Sequence, residues 1–152
     1  LRCDRRCGGL GETSGLVLRY SFYMAMSLIW DNEMNFHAEG GPELKLASSS
    51  PDAYSPMQIL AHAIMGCMAM DVVHILKKGR HDLQGLSVDF EGERAADHPK
   101  RYVKVHLTYH IKGNEPADAV ERAIALSKST YCSVSNTLRP DMEFTTSVII
   151  SA

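Results

Sequence analysis

Two cysteines stand where a thiol could do chemistry. Cys67 sits in the run Ile64-Met65-Gly66-Cys67-Met68-Ala69-Met70, and Cys132 follows 65 residues later in Tyr131-Cys132-Ser133-Val134-Ser135. A thiolate is a nucleophile and a metal ligand, and its reactivity is governed by its pKa and its access to solvent. The plainer reading of a cysteine inside an apolar helix is a small buried hydrophobe. Gly66 weighs against that reading, because glycine inside a helix costs about 1 kcal/mol relative to alanine and marks a place where backbone or ligand approaches closely. Cys132 differs: a helical turn capped by Ser133 would set the thiol beside unpaired N–H groups and the positive end of a dipole.

Other constellations carry less. Cys67, Asp71 and His74 fall at i, i+4 and i+7 on one helix face, a pattern that suggests metal ligation or a Cys–His pair. Cys67 and His74 are nevertheless separated by roughly 10 Å of helix rise, too far for a direct hydrogen bond. With a fourth ligand unspecified, no metal and no cofactor is expected, and Asp71 and His74 are expected to satisfy each other or a backbone group near the helix end. Cys3 and Cys7 form a C-x-x-x-C pair without a second pair of ligands and read as bystanders. His106 and His110 read as part of a solvated strand face.

These residues need a scaffold. The chain has 152 residues, with 16 basic and 18 acidic side chains and a net charge of −2. That suits one domain and leaves no basic footprint for a nucleic-acid partner. The longest strongly apolar stretch, residues 63–70, is bounded by His62 and Asp71. A bilayer span needs about 20 apolar residues, so no membrane partner is expected. Four scattered cysteines and no secretory signal point to a reducing, cytoplasmic compartment. Residues 1–23 are rich in Gly and Arg without periodicity, and Met24 or Met26 would serve as an ordinary start. Residues 1–26 are accordingly read as a disordered or non-native N-terminal extension, and residues 27–152 as the domain.

Segments 27–30, 34–38 and 43–47, separated by Asp31-Asn32 and Gly40-Gly41-Pro42, predict two or three antiparallel strands. Ser55-Pro56-Met57-Gln58 opens a helix with a Ser cap, Pro in the first turn and Gln at the capping-box position. The helix should run to Lys77-Lys78 and stop at Gly79 in a left-handed cap, a rod of roughly 33–35 Å. Between Ile59 and Leu76 it is apolar nearly all round, so more must cover it than one small sheet can supply. A second copy of the chain is expected to do so, as an intertwined homodimer.

Leu86, Val88 and Phe90, then Val103, Val105, Leu107, Tyr109 and Ile111, alternate with polar residues and predict a half-buried hairpin turning at Asp97-His98-Pro99. A second helix opens at Asn114-Glu115-Pro116 with Val120, Ala123, Ile124, Ser127 and Tyr131 on one face. Residues 144–151 read as a closing β-branched strand. The fold class is α+β: an antiparallel sheet, a long central buried helix and a second helix. Gly-rich phosphate loops, G-x-S-x-G, H-E-x-x-H and paired C-x-x-C motifs do not occur in the sequence.

Ser55-Pro56-Met57-Gln58-Ile59-Leu60, Gly66-Cys67-Met68-Ala69-Met70-Asp71-Val72-Val73, Gly92-Glu93-Arg94 and Tyr131-Cys132-Ser133-Val134-Ser135 together resemble the OsmC/Ohr family of small thiol-dependent hydroperoxide reductases, closest to its YhfA-like branch. The resemblance covers residues 27–152. It implies an intertwined homodimer with active sites at the subunit interface, in which Cys67 attacks a hydroperoxide and becomes a sulfenic acid. Cys132 would resolve that acid to a disulfide, and an external dithiol would reduce the disulfide. Apolar walls including Met65, Met68 and Met70 would favour an organic hydroperoxide. Where well-studied members hold a glutamate this chain has Met57, followed by neutral Gln58, and it has no arginine between Arg19 and Arg80. Thiolate activation would then fall to His62, Arg139 or a group from the partner subunit. Two other functions compete: a non-catalytic dimer binding a small apolar ligand, and a thiol sensor oxidised once per event.

Overall fold

The computed structural model describes residues 24–32, 35–38 and 54–151. The expected strand at 43–47, the arm 1–23 and the Cys3/Cys7 pair lie outside the described residues. The elements run β1 (Met24–Asn32), β2 (Asn35–Ala38), α1 (Pro56–Lys78), β3 (Gly85–Arg94), β4 (Tyr102–Lys112), α2 (Ala117–Leu126), a π turn (Ser127–Tyr131), α3 (Ser133–Thr137) and β5 (Glu143–Ser151). β1 begins at Met24, three residues ahead of the first predicted strand, and Met24 to Met26 pair with Gly92 to Phe90 of β3.

The five strands form one sheet in the order β2-β1-β3-β4-β5. The β1–β2, β1–β3 and β3–β4 pairs are antiparallel, as the alternation predicts. The β4–β5 pair is parallel, which corrects the expectation of an antiparallel sheet throughout. The cause is the connection: α2, the π turn and α3 cross back over the sheet, and a helical crossover returns the chain in the same direction. One sheet face is apolar, with Leu86, Val88, Phe90, Val105, Leu107, Tyr109 and Ile111 buried against the helices. The other is polar: His106 bonds Thr145 Oγ1 (2.7 Å) and Ser147 Oγ (2.9 Å), His110 meets Asp89 (2.8 Å), and Lys104 pairs with Glu143 (2.9 Å).

The start of α1 follows the sequence signals. Ser55 Oγ accepts from the Gln58 N–H (3.3 Å), the Gln58 side chain accepts from the Ser55 N–H (2.7 Å), and Pro56 stands in the first turn. Its end departs from them. Gly79 has φ −73° and serves as the cap residue, while Arg80 takes the left-handed φ of 61°. The Arg80 and His81 N–H groups reach Lys77 O (3.0 Å) and Leu76 O (3.1 Å), a Schellman closure with arginine at its left-handed position. Gly79 is needed for room, since a Cβ there would lie 2.8 Å from His81 Cδ2.

α1 is long and apolar enough to cross a membrane by length and composition, contrary to the sequence expectation, because His62 and Asp71 dilute a 23-residue helix too little. Ala61, Ile64, Met65, Met68, Ala69, Val72, Val73 and Leu76 of this helix are buried in the core it builds with the sheet, α2 and Cys132. A stripe remains: Ala63, Met70 and His74 are exposed, and Ile59, Gly66 and Cys67 are half-buried.

The helix is tied to the sheet at its N-terminal end, where the Tyr102 hydroxyl donates to Met57 O (2.9 Å) and the Tyr102 ring packs edge-on against Phe90 at 5.3 Å. Gly92 makes this possible, because a Cβ there would come within 2.7 Å of both rings.

Candidate active site

Cys67 is at mid-length of α1, on the boundary between its buried side and the open stripe, and is half-buried. Cys132 reaches it by an irregular path. α2 buries Ala119, Val120, Ala123 and Ile124, and the chain then widens by one residue: the Cys132 N–H bonds Ser127 O at 2.8 Å, five residues back. This π turn shifts the helical phase, so Ser127 is buried while Tyr131 is 57% exposed instead of joining the buried face as the periodicity predicts. Asn136 Nδ2 holds the turn by donating to Lys128 O (3.1 Å) and Cys132 O (2.9 Å).

Cys132 itself, rather than Ser133, caps α3. Its Sγ accepts from the Ser135 N–H at 3.3 Å. The side chain is fully buried, and its two neighbourhoods pull its pKa in opposite directions. Burial pushes the thiol above its ordinary 9.0, the adjacent Cys67 adds to that, and the Ser135 bonds draw it partly back. Burial wins, so at neutral pH Cys132 is a protonated thiol able to donate S–H toward Cys67.

The Sγ atoms of Cys67 and Cys132 and a carboxylate oxygen of Asp71 all lie within 4.8 Å of one another. The two predicted site cysteines therefore meet, although 65 residues of sequence separate them. Asp71 is not paired with His74, as the sequence suggests, but accepts from the buried Ser127 Oγ at 2.8 Å. A hydroxyl on the far side of the π turn thus fixes the carboxylate one turn along α1 from Cys67. The Tyr109 hydroxyl is buried without a hydrogen-bond partner. Its pKa is driven far up, first by burial and then by its electrostatic coupling to Cys132, Asp71 and Cys67.

The other predicted participants are elsewhere. His62 Nδ1 is engaged with Gln58 O at 3.0 Å, and its ring meets Tyr54 edge-on at 5.0 Å. Arg139 is exposed and bound to Asp141 through Nε (3.0 Å) and a terminal nitrogen (3.3 Å). Met57 offers the sheet its carbonyl, not a side-chain acid. Met65 and Met68 are core, and only Met70 of the three methionines reaches the open stripe. Sequence reasoning singled out Asp71 but not its partner. Ser127 gave no signal beyond lying on a helix face, and Tyr109 none beyond strand alternation. A cleft of about 310 Å³ beside Trp30, Leu86, His110 and Lys112 shares no lining residue with the thiol cluster.

Comparison with known proteins bears on the family and the fold. The family described as "OsmC-like protein" matches residues 49–147. Protein YhfA of Escherichia coli (strain K12) is 35% identical over 127 residues, covering 81% of this chain and 95% of that protein. A crystal structure of a hypothetical protein from Aquifex aeolicus VF5 superposes with a TM-score of 0.66 at 29% identity, over 82% of this chain and 92% of that one. The fold is also that of a Legionella pneumophila protein described as an organic hydroperoxide resistance protein OsmC, with a TM-score of 0.56 at 23% identity, over 84% of this chain and 98% of that one.

Proposed function

The chain belongs to the OsmC-like protein family, and from that premise we propose that it is a two-cysteine thiol peroxidase acting on organic hydroperoxides in oxidative-stress defence. The observation that carries the reading is the meeting of Cys67 and Cys132 within 4.8 Å with unequal exposure. The half-buried sulfur can be reached by a substrate, and the buried one can be reached only by its neighbour.

Cys67, as thiolate, attacks the terminal oxygen of the hydroperoxide. The O–O bond breaks, the alkoxide takes a proton and leaves as the alcohol, and Cys67 is left as a sulfenic acid. Cys132 Sγ then attacks the Cys67 sulfur, hydroxide leaves as water after protonation, and a disulfide forms. An external dithiol restores both thiols by exchange. With Met57 in place of the glutamate that the resemblance expects, Asp71, one turn beyond Cys67 and held by Ser127, serves as an acceptor for a proton leaving a thiol. Ala63 and Met70, one turn either side of Cys67 on the open stripe, give an apolar approach that favours an alkyl substituent over water-sized hydrogen peroxide. A second copy of the chain, lying on that stripe, would complete the site as a cytoplasmic homodimer.

The test is turnover by the reduced full chain with an organic hydroperoxide and a dithiol. The parent should consume peroxide continuously. Cys67→Ser should fall to the rate without protein, and Cys132→Ser should react about once per chain and stall. A parent that consumes no peroxide, in the presence of any dithiol, overturns the reading.

A further inference from the structure

We propose that Cys67, Asp71 and Cys132 form a binding site for a thiophilic divalent cation of the Zn2+ type, occupied in the reduced protein and released on oxidation. The donor set is two sulfurs and one carboxylate oxygen within 4.8 Å of one another. Zn–S bonds of about 2.3 Å and Zn–O bonds of about 2.0–2.2 Å put tetrahedral ligands about 3.5–3.8 Å apart, so the cluster needs only side-chain rotation to close on an ion. Soft sulfur donors exclude Mg2+ and Ca2+, which take all-oxygen sites.

Two further features fit an ion. Asp71 is oriented by the Ser127 hydroxyl (2.8 Å) and Cys132 by the Ser135 N–H (3.3 Å), the kind of outer contact that holds metal ligands in place. Asp71 also has no ion-pair partner among the described residues, so a cation arriving at the two sulfurs meets a carboxylate that no neighbouring cation has already neutralised. Three protein ligands, two of them half-exposed, leave a fourth position open, which marks a reversible site rather than a structural one.

Binding exchanges two protons for one ion, because both sulfurs must be thiolates. Oxidation reverses it: one hydroperoxide, two protons and the metal dithiolate give the disulfide, the alcohol, water and the free cation. Ion and disulfide compete for the same two sulfurs, so occupancy slows oxidation of the thiols and a chelator restores the rate of the metal-free pair. The binding step does not require the peroxidase reading, since it takes place in the reduced chain without turnover.

The test uses the reduced full chain carrying Cys3→Ser and Cys7→Ser, kept free of oxygen, with Co2+ as a spectroscopic probe and Zn2+ as its competitor. Expected are one Co2+ per chain with the sulfur-to-cobalt absorption of two thiolates, displacement by Zn2+, and release of about two protons per ion. Cys67→Ser and Cys132→Ser should each halve the thiolate absorption. Asp71→Asn, which retains both sulfurs and nearly the same shape, should weaken affinity by roughly 10–100-fold, and Asp71→Glu should recover part of it. Absence of the thiolate absorption in the Cys3/Cys7 variant overturns the site. Binding that is indifferent to Asp71→Asn overturns the three-donor assignment. If Co2+ binds as expected while the protein consumes no peroxide, the metal site stands and the peroxidase reading falls.

Discussion

The two cysteines arrive at one place by different structural means. Cys67 rides on α1, an uninterrupted 23-residue helix whose cap, first turn and basic last turn are all written in local sequence. Cys132 arrives through α2, a π turn and a short helix, where one extra residue alters the phase and sinks the sulfur to full burial at a helix cap. A regular element presents the accessible thiol, and an irregular one delivers the concealed thiol to it. The lesson is that the reach of the second sulfur is set by the π turn, and that this turn is the more vulnerable half of the site.

The largest effect should come from removing one exposed residue of that turn. Deleting Ser129 would let α2 run on as a regular helix, turning Cys132 by about 100° and moving it by about 1.5 Å. The chain should fold, keep its circular dichroism, and fail to form the Cys67–Cys132 disulfide with any oxidant. A deletion variant that still forms it would show that the turn does not govern the meeting.

Next is Ser127→Ala, which strips Asp71 of its buried donor. It should cost about 1–3 kcal/mol in denaturant unfolding, with Asp71→Asn costing less because an amide can serve as donor or acceptor. Equal costs would mean that the carboxylate draws nothing from the hydroxyl.

A smaller effect concerns pH. The Cys132 pKa is raised in the folded state, so its contribution to stability is complete below the ordinary 9.0 and is lost as pH rises beyond it. The reduced protein should weaken between pH 9 and 10, before the buried Tyr102 and Tyr109, also raised by burial, begin to contribute. Cys132→Ser should flatten that slope in a pH series of melts, and Cys67→Ser should not remove it.

The smallest lies at the end of α1. Arg80 at φ 61° pays for its left-handed backbone, and Arg80→Gly should stabilise the protein by roughly 0.5–1 kcal/mol. A destabilised variant would assign Arg80 a contact that outweighs the strain.

Legibility from sequence divides along the same line. The capping box at Ser55, the alternation through β3 and β4, and the α+β class were readable because each depends on neighbours in the chain. The parallel pairing of β5 was not, since strand direction is decided by the crossover and not by the strand's own residues. Tyr131 was misplaced because helical periodicity assumes a constant residue count per turn, which the π turn breaks. The Gly79 signal was one residue out, because glycine there answers to the His81 ring rather than to a positive φ. At the site, the two sulfurs could be singled out by their motifs. The Asp71–Ser127 bond spans 56 residues and the Tyr109 hydroxyl comes from the opposite layer, so neither leaves a local trace.

The most direct test of the account is peptide mass spectrometry of the reduced protein after one equivalent of an organic hydroperoxide, with dimedone in a parallel sample to trap sulfenic acid. A rapid Cys67–Cys132 disulfide is expected in the parent, and dimedone on Cys67 in Cys132→Ser. Two unmodified thiols, or dimedone on Cys132 in Cys67→Ser at the parent's rate, would contradict it.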